Sequence, residues 1–389
     1  MAILFITSMS LEKEKTAGNK VHFLGIGKAL QALHHQVILV APFYQNTGTR
    51  FHYGLTDEQI SLQKKDFSHF WKFHRLLEEK LPCFLDRYHP DLVYSRDLLN
   101  VPQISHLAHR SGLPHMVEIN GLLREETLLQ RARLFPLERG QNKAIASADL
   151  LRVMTNQQKN TLVQRFGRKP SEVFCIPQGT DPTLYHDLGK TNARQRLQLP
   201  LDTFLFTFVG SLNFKTYLKG LHAFLEAFAA FQEKHPDTLL RIVGDGKGKK
   251  TLQEKIQKWG MAAKVQFIGH VPNDQVPLHV CASDICIQPW VPEFPEKEEL
   301  SIKLPAYMAC ERRVLVTNIP GFRDVTKGFD PLLWNHLQKG SMNTCLERAW
   351  KEKDSWNKGK EQREFIQKNL TWEISAKKIM QAISEGSQG

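Results

Sequence analysis

Short apolar runs alternate along this chain with longer segments whose apolar positions recur at three- or four-residue spacing, the mark of strands alternating with amphipathic helices. Ala2 to Thr7 reads as a buried strand, Ser8 to Lys20 as a polar loop, Val21 to His34 as a helix and Gln36 to Ala41 as a second strand. A strand, helix, strand unit of this kind opens a parallel sheet. Residues 44–66 are polar with little periodicity. A helix is expected from about Asp66 to Arg87, in which Phe67, Phe70, Trp71, Phe73 and His74 cluster with Lys72 and Arg75. Such a helix either packs on a core or rests on a membrane surface. Strands at Asp91–Tyr94 and His115–Ile119 flank a helix at Val101–Ser111, and a long basic helical region follows. Ala148–Met154 is a helix end or short strand, and Glu172–Pro177 is a further strand.

The scheme then repeats. Strands are expected at Thr203–Val209, Leu239–Val243, Val265–Ile268, Asp284–Gln288 and Val314–Thr317, with helices at Gly220–His235, up to about Trp259, and at Gln275–Cys281. The fold class is therefore α/β, with two Rossmann-like parallel-sheet domains. The expected bounds are 1–185 for the first domain, 195–362 for the second, and 363–389 for a terminal helical segment. In that segment Phe365, Leu370, Trp372, Ile374, Ala376, Ile379 and Met380 form the packing face.

Ligands of such sheets bind beyond the carboxyl ends of the strands, so the loops there carry the candidate chemistry. The stretch PWVPEFPEKEELSIKLPAYM, Pro289 to Met308, lies between two strands and begins with prolines and acidic residues that exclude regular structure. Leu300, Leu304, Tyr307 and Met308 then recur at helical spacing, which starts a helix near Ser301 with that serine as N-cap. The amides of its first turn, with Lys303, would suit a phosphate or carboxylate. The same stretch reads equally as a surface loop leading into an ordinary amphipathic helix. Glu118-Ile119-Asn120-Gly121 ends a strand in polar residues, as a ligand edge or as a capped turn. Gly18-Asn19 lies in the first loop. Gly25 and Gly27 form a GxG inside a helix rather than before one, which is not a dinucleotide fingerprint.

Composition narrows the classes. In 389 residues, 41% are hydrophobic and 24% charged, values of an ordered globular chain long enough for two cores. The net charge of +12 is spread evenly, 24 Lys/Arg against 18 Asp/Glu in residues 1–190 and 28 against 22 in the rest. Without a dense basic tract interleaved with aromatics it gives nucleic acid no support, and it suits phosphate-bearing substrates or an anionic membrane face. Six cysteines without CxxC spacing read as reduced core residues of a cytoplasmic protein. The start MAILFITSMS has no basic n-region and reads as a strand, not a signal peptide, and no apolar run reaches the length of a membrane span. The residues call for no metal and no resident cofactor.

Several stretches, in order, resemble the family 4 retaining glycosyltransferases of GT-B fold. ILFITS with Gly18-Asn19 is similar to the family's first strand and acceptor loop, and HPDLVYSRD with PHMVEING to the strands of the acceptor side. IPQGTD resembles the interdomain turn, FVGSLNFKTYLKG the phosphate-contacting loop, LRIVGDG and VQFIGHV the strands that follow, and SIKLPAYMA the donor loop. NLTWE resembles the start of the helix that crosses back to the first domain. The resemblance implies two domains facing a cleft and transfer, with retained configuration, from a nucleoside-diphosphate sugar to a lipid-linked or polysaccharide acceptor. It implies Lys219 and Asn120 as catalytic groups, Gly210, Ser211, Lys215, Glu298, Ser301, Lys303 and Leu304 around the donor, and Gly18, Asn19 and Glu118 on the acceptor side. The protein would work in the cytoplasm, peripherally on the inner membrane face. The chain departs from the pattern at Ser211, where the family has arginine, at Ala306, where it has the second glutamate of an acidic pair, at Asn120, where it has histidine, and at Glu311, where it has glycine. These departures leave open a second reading, a non-catalytic partner or sugar-binding subunit of the same fold.

Overall fold

The computed structural model describes residues 1–8, 10–11, 18–44, 55–62, 69–96, 101–121, 139–213, 215–292 and 301–386. Two parallel sheets organise them, as the alternating pattern requires. The first has seven strands in the order β3-β2-β1-β4-β5-β6-β7, with β1 at Ala2–Thr7, β2 at Gln36–Tyr44, β3 at Thr56–Leu62, β4 at Leu92–Arg96, β5 at His115–Ile119, β6 at Leu150–Val153 and β7 at Val173–Cys175. Its helices are α1 (Gly18–Ala32), α2 (His69–Tyr88), α3 (Val101–Arg110), α4 (residues 139–147) and α5 (Asn156–Phe166).

Strand β1 shows why both faces must be covered. Ile3 and Phe5 pack with Phe23, Ile26 and Leu30 of α1. Leu4 and Ile6 point the other way, onto Phe73, Leu77 and Leu81 of α2 and Ile104 and Ala108 of α3. A strand buried on both faces reads as a continuous apolar run, which is what Ala2–Thr7 is. The described apolar side chains of α2 thus serve the core. Phe67 and the side chains of Phe70 and Trp71, the rest of the membrane-surface reading, lie outside the described residues.

The second sheet has six strands in the order β10-β9-β8-β11-β12-β13. Its strands are β8 (Phe204–Val209), β9 (Thr238–Val243), β10 (Val265–Gly269), β11 (Ile285–Gln288), β12 (Arg313–Thr317) and β13 (Leu332–Trp334). Helices α6 (Lys190–Arg196), α7 (Lys215–Lys234), α8 (Lys249–Lys258), α9 (Val276–Cys281), α10 (Lys303–Ala309), α11 (Pro320–Thr326), α12 (Ser341–Lys351) and α13 (Gly359–Asn369) surround it, and α14 (Trp372–Gly386) ends the chain. Phe206 at the centre of β8 meets Phe224, Phe228 and Phe231 of α7 edge-on, with centroids 5.5 to 6.0 Å apart.

One compact unit holds Met1–Gly179 together with Trp372–Gly389, and the described residues from Thr180 to Thr371 form the other. The first division falls at Gly179/Thr180 rather than between 185 and 195. The second falls at Thr371/Trp372 rather than at 363, because α13 packs on α10: Arg363 donates to the Ala309 carbonyl at 3.2 Å, and a Cβ on Gly359 would stand 2.9 Å from the Glu311 backbone. Helix α14 joins the first sheet, where Ala376, Ile379, Ala382 and Ile383 enter the same cluster as Ile3 and Phe5. Of the expected packing face, Phe365 instead meets Phe329 in the second unit, at 5.2 Å between centroids. The GxG inside α1 gains its explanation here. The Trp372 ring lies where a Cβ on Gly25 would be, 2.7 Å away, and Gly27 faces Leu55 at 3.1 Å.

Other boundaries differ in informative ways. Helix α1 begins at Gly18, three residues before the expected start, so Gly18 and Asn19 are in its first turn and not in a loop. Strand β3 was hidden because only Ile60 and Leu62 of its seven residues are fully buried apolar groups. Helix α7 begins at Lys215, five residues before Gly220, which places Lys215 and Lys219 on the helix itself. Four cysteines are buried, Cys175 is half-buried, and Cys83, expected in the core, is exposed on the outer face of α2.

Candidate functional site

In the second unit the site is built where β8, β9 and β11 end. Past Val209 the chain runs through Gly210 and Ser211, and its amides are fixed by the neighbouring strand: Gly210 N–H donates to Val243 O at 2.9 Å and Leu212 N–H to Asp245 O at 2.9 Å. Returning, Gly248 N–H donates to Leu212 O at 3.0 Å and Lys247 N–H to Asn213 Oδ1 at 2.9 Å. The two loops approach so closely that a Cβ on Gly244 would stand 1.9 Å from Gly210 O. Ser211 Oγ accepts from Asn213 N–H at 3.3 Å and from its amide nitrogen at 3.0 Å. It therefore stabilises the turn and supplies no charge.

Lys303 brings a positive charge to this edge. Its ammonium stands 3.8 Å from the Tyr217 ring centroid and 5.8 Å from that of Phe208, and its Cε and Nζ lie 2.8 and 2.9 Å from where a Cβ on Gly210 would be. Tyr217 is buried, and its hydroxyl accepts from Gln288 Nε2 at 3.0 Å. Tyr307 of α10 links that helix to β8, its hydroxyl accepting from Val209 N–H at 3.0 Å. Burial raises the pKa of this phenol well above its ordinary value. Lys215 and Lys219 are exposed one turn apart on α7.

Two expectations on α10 need correction. Ile302, not Ser301, is its N-cap and makes no side-chain capping bond. The amides are also already engaged: Leu304 N–H donates to Ser301 O at 3.2 Å and Lys303 N–H reaches Ser301 Oγ at 3.4 Å. The tight turn closes on itself, so it does not present the free amides expected of a helix start. Leu304 is fully buried and offers a donor no side chain. Glu298 and most of the acidic loop, residues 293–300, lie outside the described residues.

In the first unit the sequence singled out Glu118, and the structure surrounds it. Its carboxylate accepts from Tyr94 Oη at 2.6 Å, Arg152 at 2.9 Å, Arg96 Nε at 3.1 Å and His22 Nε2 at 2.9 and 3.0 Å. Because Glu118 and Arg152 are fully buried and Arg96 nearly so, these contacts are made without competing water. The adjacent cations and the imidazole hold the carboxyl well below the usual range against the opposing effect of burial. Glu118 is thus a buried anchor that joins α1, β4, β5 and β6, and not the acceptor contact expected of it. Burial pulls His22 down to about 4. The neutral ring donates from Nε2, which leaves Nδ1 buried without a partner. Gly18, exposed at the start of α1, sits one helical turn from His22, while the Asn19 side chain lies outside the described residues. Asn120 follows Glu118 at the end of β5. Its carbonyl accepts from Gln158 Nε2 at 3.2 Å, and its Oδ1 is buried with no partner.

Sequence reasoning passed over Tyr217, Gln288, His22, Arg96 and Arg152. Arg152 and Arg96, charged residues within or ending apolar strands, carried the available signal, since a buried arginine requires a carboxylate.

The buried imidazoles make the fold acid-sensitive. His115, held between Ser95 and Ser105 at 2.7 Å each, is pulled down to about 3 by burial, and His279 of the second unit to about 4. Unfolded, each takes up a proton near pH 6.5, while in the fold it stays neutral to lower pH. Stability present at pH 7 is therefore lost as pH falls from about 6.5 toward 4, by about 3 kcal/mol for a ring depressed as far as His22. Chemical denaturation at pH 7 and 4.5 should show this loss, and His22→Gln should reduce it.

Residues 17–179 match the model described as a glycosyl transferase 4-like domain, and residues 189–333 the model described as glycosyl transferases group 1. D-inositol 3-phosphate glycosyltransferase of Corynebacterium aurimucosum is 26% identical over 203 residues, which is 50% of this chain and 46% of that protein. The chain thus spans about half the length of this curated relative. Among solved structures, sucrose-phosphate synthase from Thermosynechococcus elongatus superposes with a TM-score of 0.81 at 18% identity, over 99% of this chain and 98% of that one. HepE of Anabaena, in complex with UDP, superposes with a TM-score of 0.77 at 16% identity, over 99% of this chain and 100% of that one.

Proposed function

Because the chain belongs to the family 4 glycosyltransferases of GT-B fold, we propose that it moves a sugar from a nucleoside-diphosphate sugar to a lipid-linked or polysaccharide precursor, with retention of anomeric configuration. The observation that carries this reading is Lys303. Its ammonium lies across Gly210 at the end of β8, held by aromatic rings and paired with no carboxylate among the described residues. A cation so placed beyond a parallel strand suits a diphosphate.

When the sugar departs, the bond between its anomeric carbon and the diphosphate oxygen breaks and negative charge grows on that oxygen. Positive charge placed beforehand lowers the barrier. Lys303 serves there as the fixed cation, with Lys219 and Lys215 on the exposed face of α7 as mobile ones. The UDP in the solved HepE complex supports a nucleotide of this class. On the acceptor side Asn120 is the group to orient a hydroxyl, since its Oδ1 has no protein partner. Glu118 holds β5 beneath it. The net charge of +12 favours an acceptor bearing phosphate and a peripheral place on an anionic inner membrane face. Among the described residues no helix is long and apolar enough to cross a membrane.

The test is release of nucleoside diphosphate from a panel of UDP-, GDP- and ADP-sugars. A charge-assisted bond is worth about 1.5 to 3 kcal/mol, so Lys303→Met and Lys219→Met should each slow release at least about tenfold with the melting temperature kept. Turnover equal to that of the parent protein in both variants would remove the two lysines from the site.

A further inference from the structure

Lys303 projects from the first residue of a seven-residue helix, and a lysine side chain has four rotatable carbons and rotamer freedom to lose. Nothing anionic holds its head group among the described residues. What holds it is the face of Tyr217, 3.8 Å from the ammonium, with Phe208 at 5.8 Å behind. Tyr217 is itself held firmly by its described neighbours. It is buried in the first turns of α7. Its hydroxyl accepts from Gln288 Nε2 at 3.0 Å, and its ring meets Phe208 edge-on at 5.9 Å. Gln288 is fully buried at the end of β11, which fixes the amide that meets the phenol.

We propose that Tyr217 is a positioning residue for the donor diphosphate, acting through Lys303: its ring holds the ammonium over Gly210, where the phosphate charge has to be met. The proposal rests on the donor-site reading given above. An ammonium over an aromatic face is attracted by the ring quadrupole, and the attraction grows where water is excluded. The ring competes weakly for the cation compared with a carboxylate, which would neutralise it. Tyr217 thus restricts Lys303 without consuming its charge. A lysine restrained in this way loses less freedom when the phosphate arrives, which raises affinity through preorganisation. With Ser211 bringing no charge, Lys303 is the cation of this loop edge whose position the ring restrains.

Binding of UDP, GDP and ADP to the full chain, followed by calorimetry, tests the assignment in the parent, Tyr217→Phe, Tyr217→Leu, Lys303→Met and the double variant Tyr217→Leu/Lys303→Met. Tyr217→Phe keeps the ring and should bind within about twofold of the parent. Tyr217→Leu removes the π face and should weaken binding roughly five- to thirtyfold, the range expected of a cation–π contact. In the Lys303→Met background the leucine should cost nothing further, because the group it positions is gone. An equal loss from Tyr217→Leu with or without Lys303 would show a merely structural role and overturn the proposal, as would full affinity in Tyr217→Leu. The phenylalanine variant keeps the test valid if leucine loosens the fold: loss of affinity there, with the ring in place, also overturns it. Parent protein that binds none of the three nucleotides would remove the donor site and this role with it.

Discussion

Replacing Glu118 with glutamine should lower the melting temperature of the first unit by about 6 to 20 °C while leaving the second unit's transition in place. The change is nearly isosteric, so the effect is electrostatic. In the native protein one carboxylate receives Arg152, Arg96, Tyr94 and His22, and the glutamine would leave the fully buried Arg152 guanidinium without the carboxylate that balances it. Breaking a buried pair by removing one partner costs about 3 to 5 kcal/mol. At roughly 2 to 4 °C per kcal/mol for a domain of this size that gives the stated range. Arg152 would keep its bonds to the carbonyls of Ile176 and Pro177, at 3.0 and 3.2 Å. These hold the side chain in place and do not discharge it. A shift under about 2 °C in differential scanning calorimetry would mean that the four groups are not coupled through Glu118.

Gly220→Ala should be among the most damaging small substitutions in the second unit. Helix α7 crosses the end of β11 so closely that a Cβ at position 220 would lie 1.6 Å from the Pro289 carbonyl oxygen and 2.4 Å from its carbon. The obstacle is backbone, so no side-chain rotation relieves it. Either α7 moves away from the sheet, taking Tyr217 and Lys219 with it, or the chain after β11 moves and pulls Trp290 from its bonds with Thr317 at 2.9 and 2.6 Å. Overpacking of this kind costs about 1 to 3 kcal/mol and here exceeds the usual case. Nucleotide affinity should fall by more than tenfold along with stability. Full affinity and an unchanged melting temperature would contradict the close approach. Gly248, where a Cβ would meet only the tip of Leu218 and the Leu212 carbonyl at 2.4 to 2.8 Å, provides a milder comparison.

The architecture was legible because the core strands are apolar on both faces, and Ala2–Thr7 and Phe204–Val209 stand out in the sequence for that reason. Strand β3 was not, since a half-exposed edge strand has too few apolar positions to show a period. Helix starts were read late at Gly18 and Lys215 because their first turns are polar, and polar first turns look like loops. Within the site, Lys303 was legible from the order of signals in its loop, whereas Gly210 came from the family resemblance. The roles of Tyr217 and Glu118 depend on contacts across 86 and 96 residues of chain, from Tyr217 to Lys303 and from Glu118 to His22, and no local pattern carries those. Ser301 and Leu304 were misread because a capping serine and a free amide are properties of the turn geometry, which here closes through Leu304 N–H to Ser301 O.

The central claim is that Lys303 and its surroundings form a diphosphate site. The most direct measurement is the melting temperature of the protein in millimolar UDP, GDP and ADP, each beside its monophosphate. A ligand at a hundredfold excess over its dissociation constant adds about 2.7 kcal/mol, or several degrees for a unit of this size. The resemblance assigns the glutamate that Ala306 replaces to the donor ribose, so most of the affinity should come from the diphosphate. One of the three diphosphates should therefore raise the melting temperature by about 5 to 10 °C and its monophosphate by far less. No shift with any diphosphate, or equal shifts with diphosphate and monophosphate, would contradict the claim.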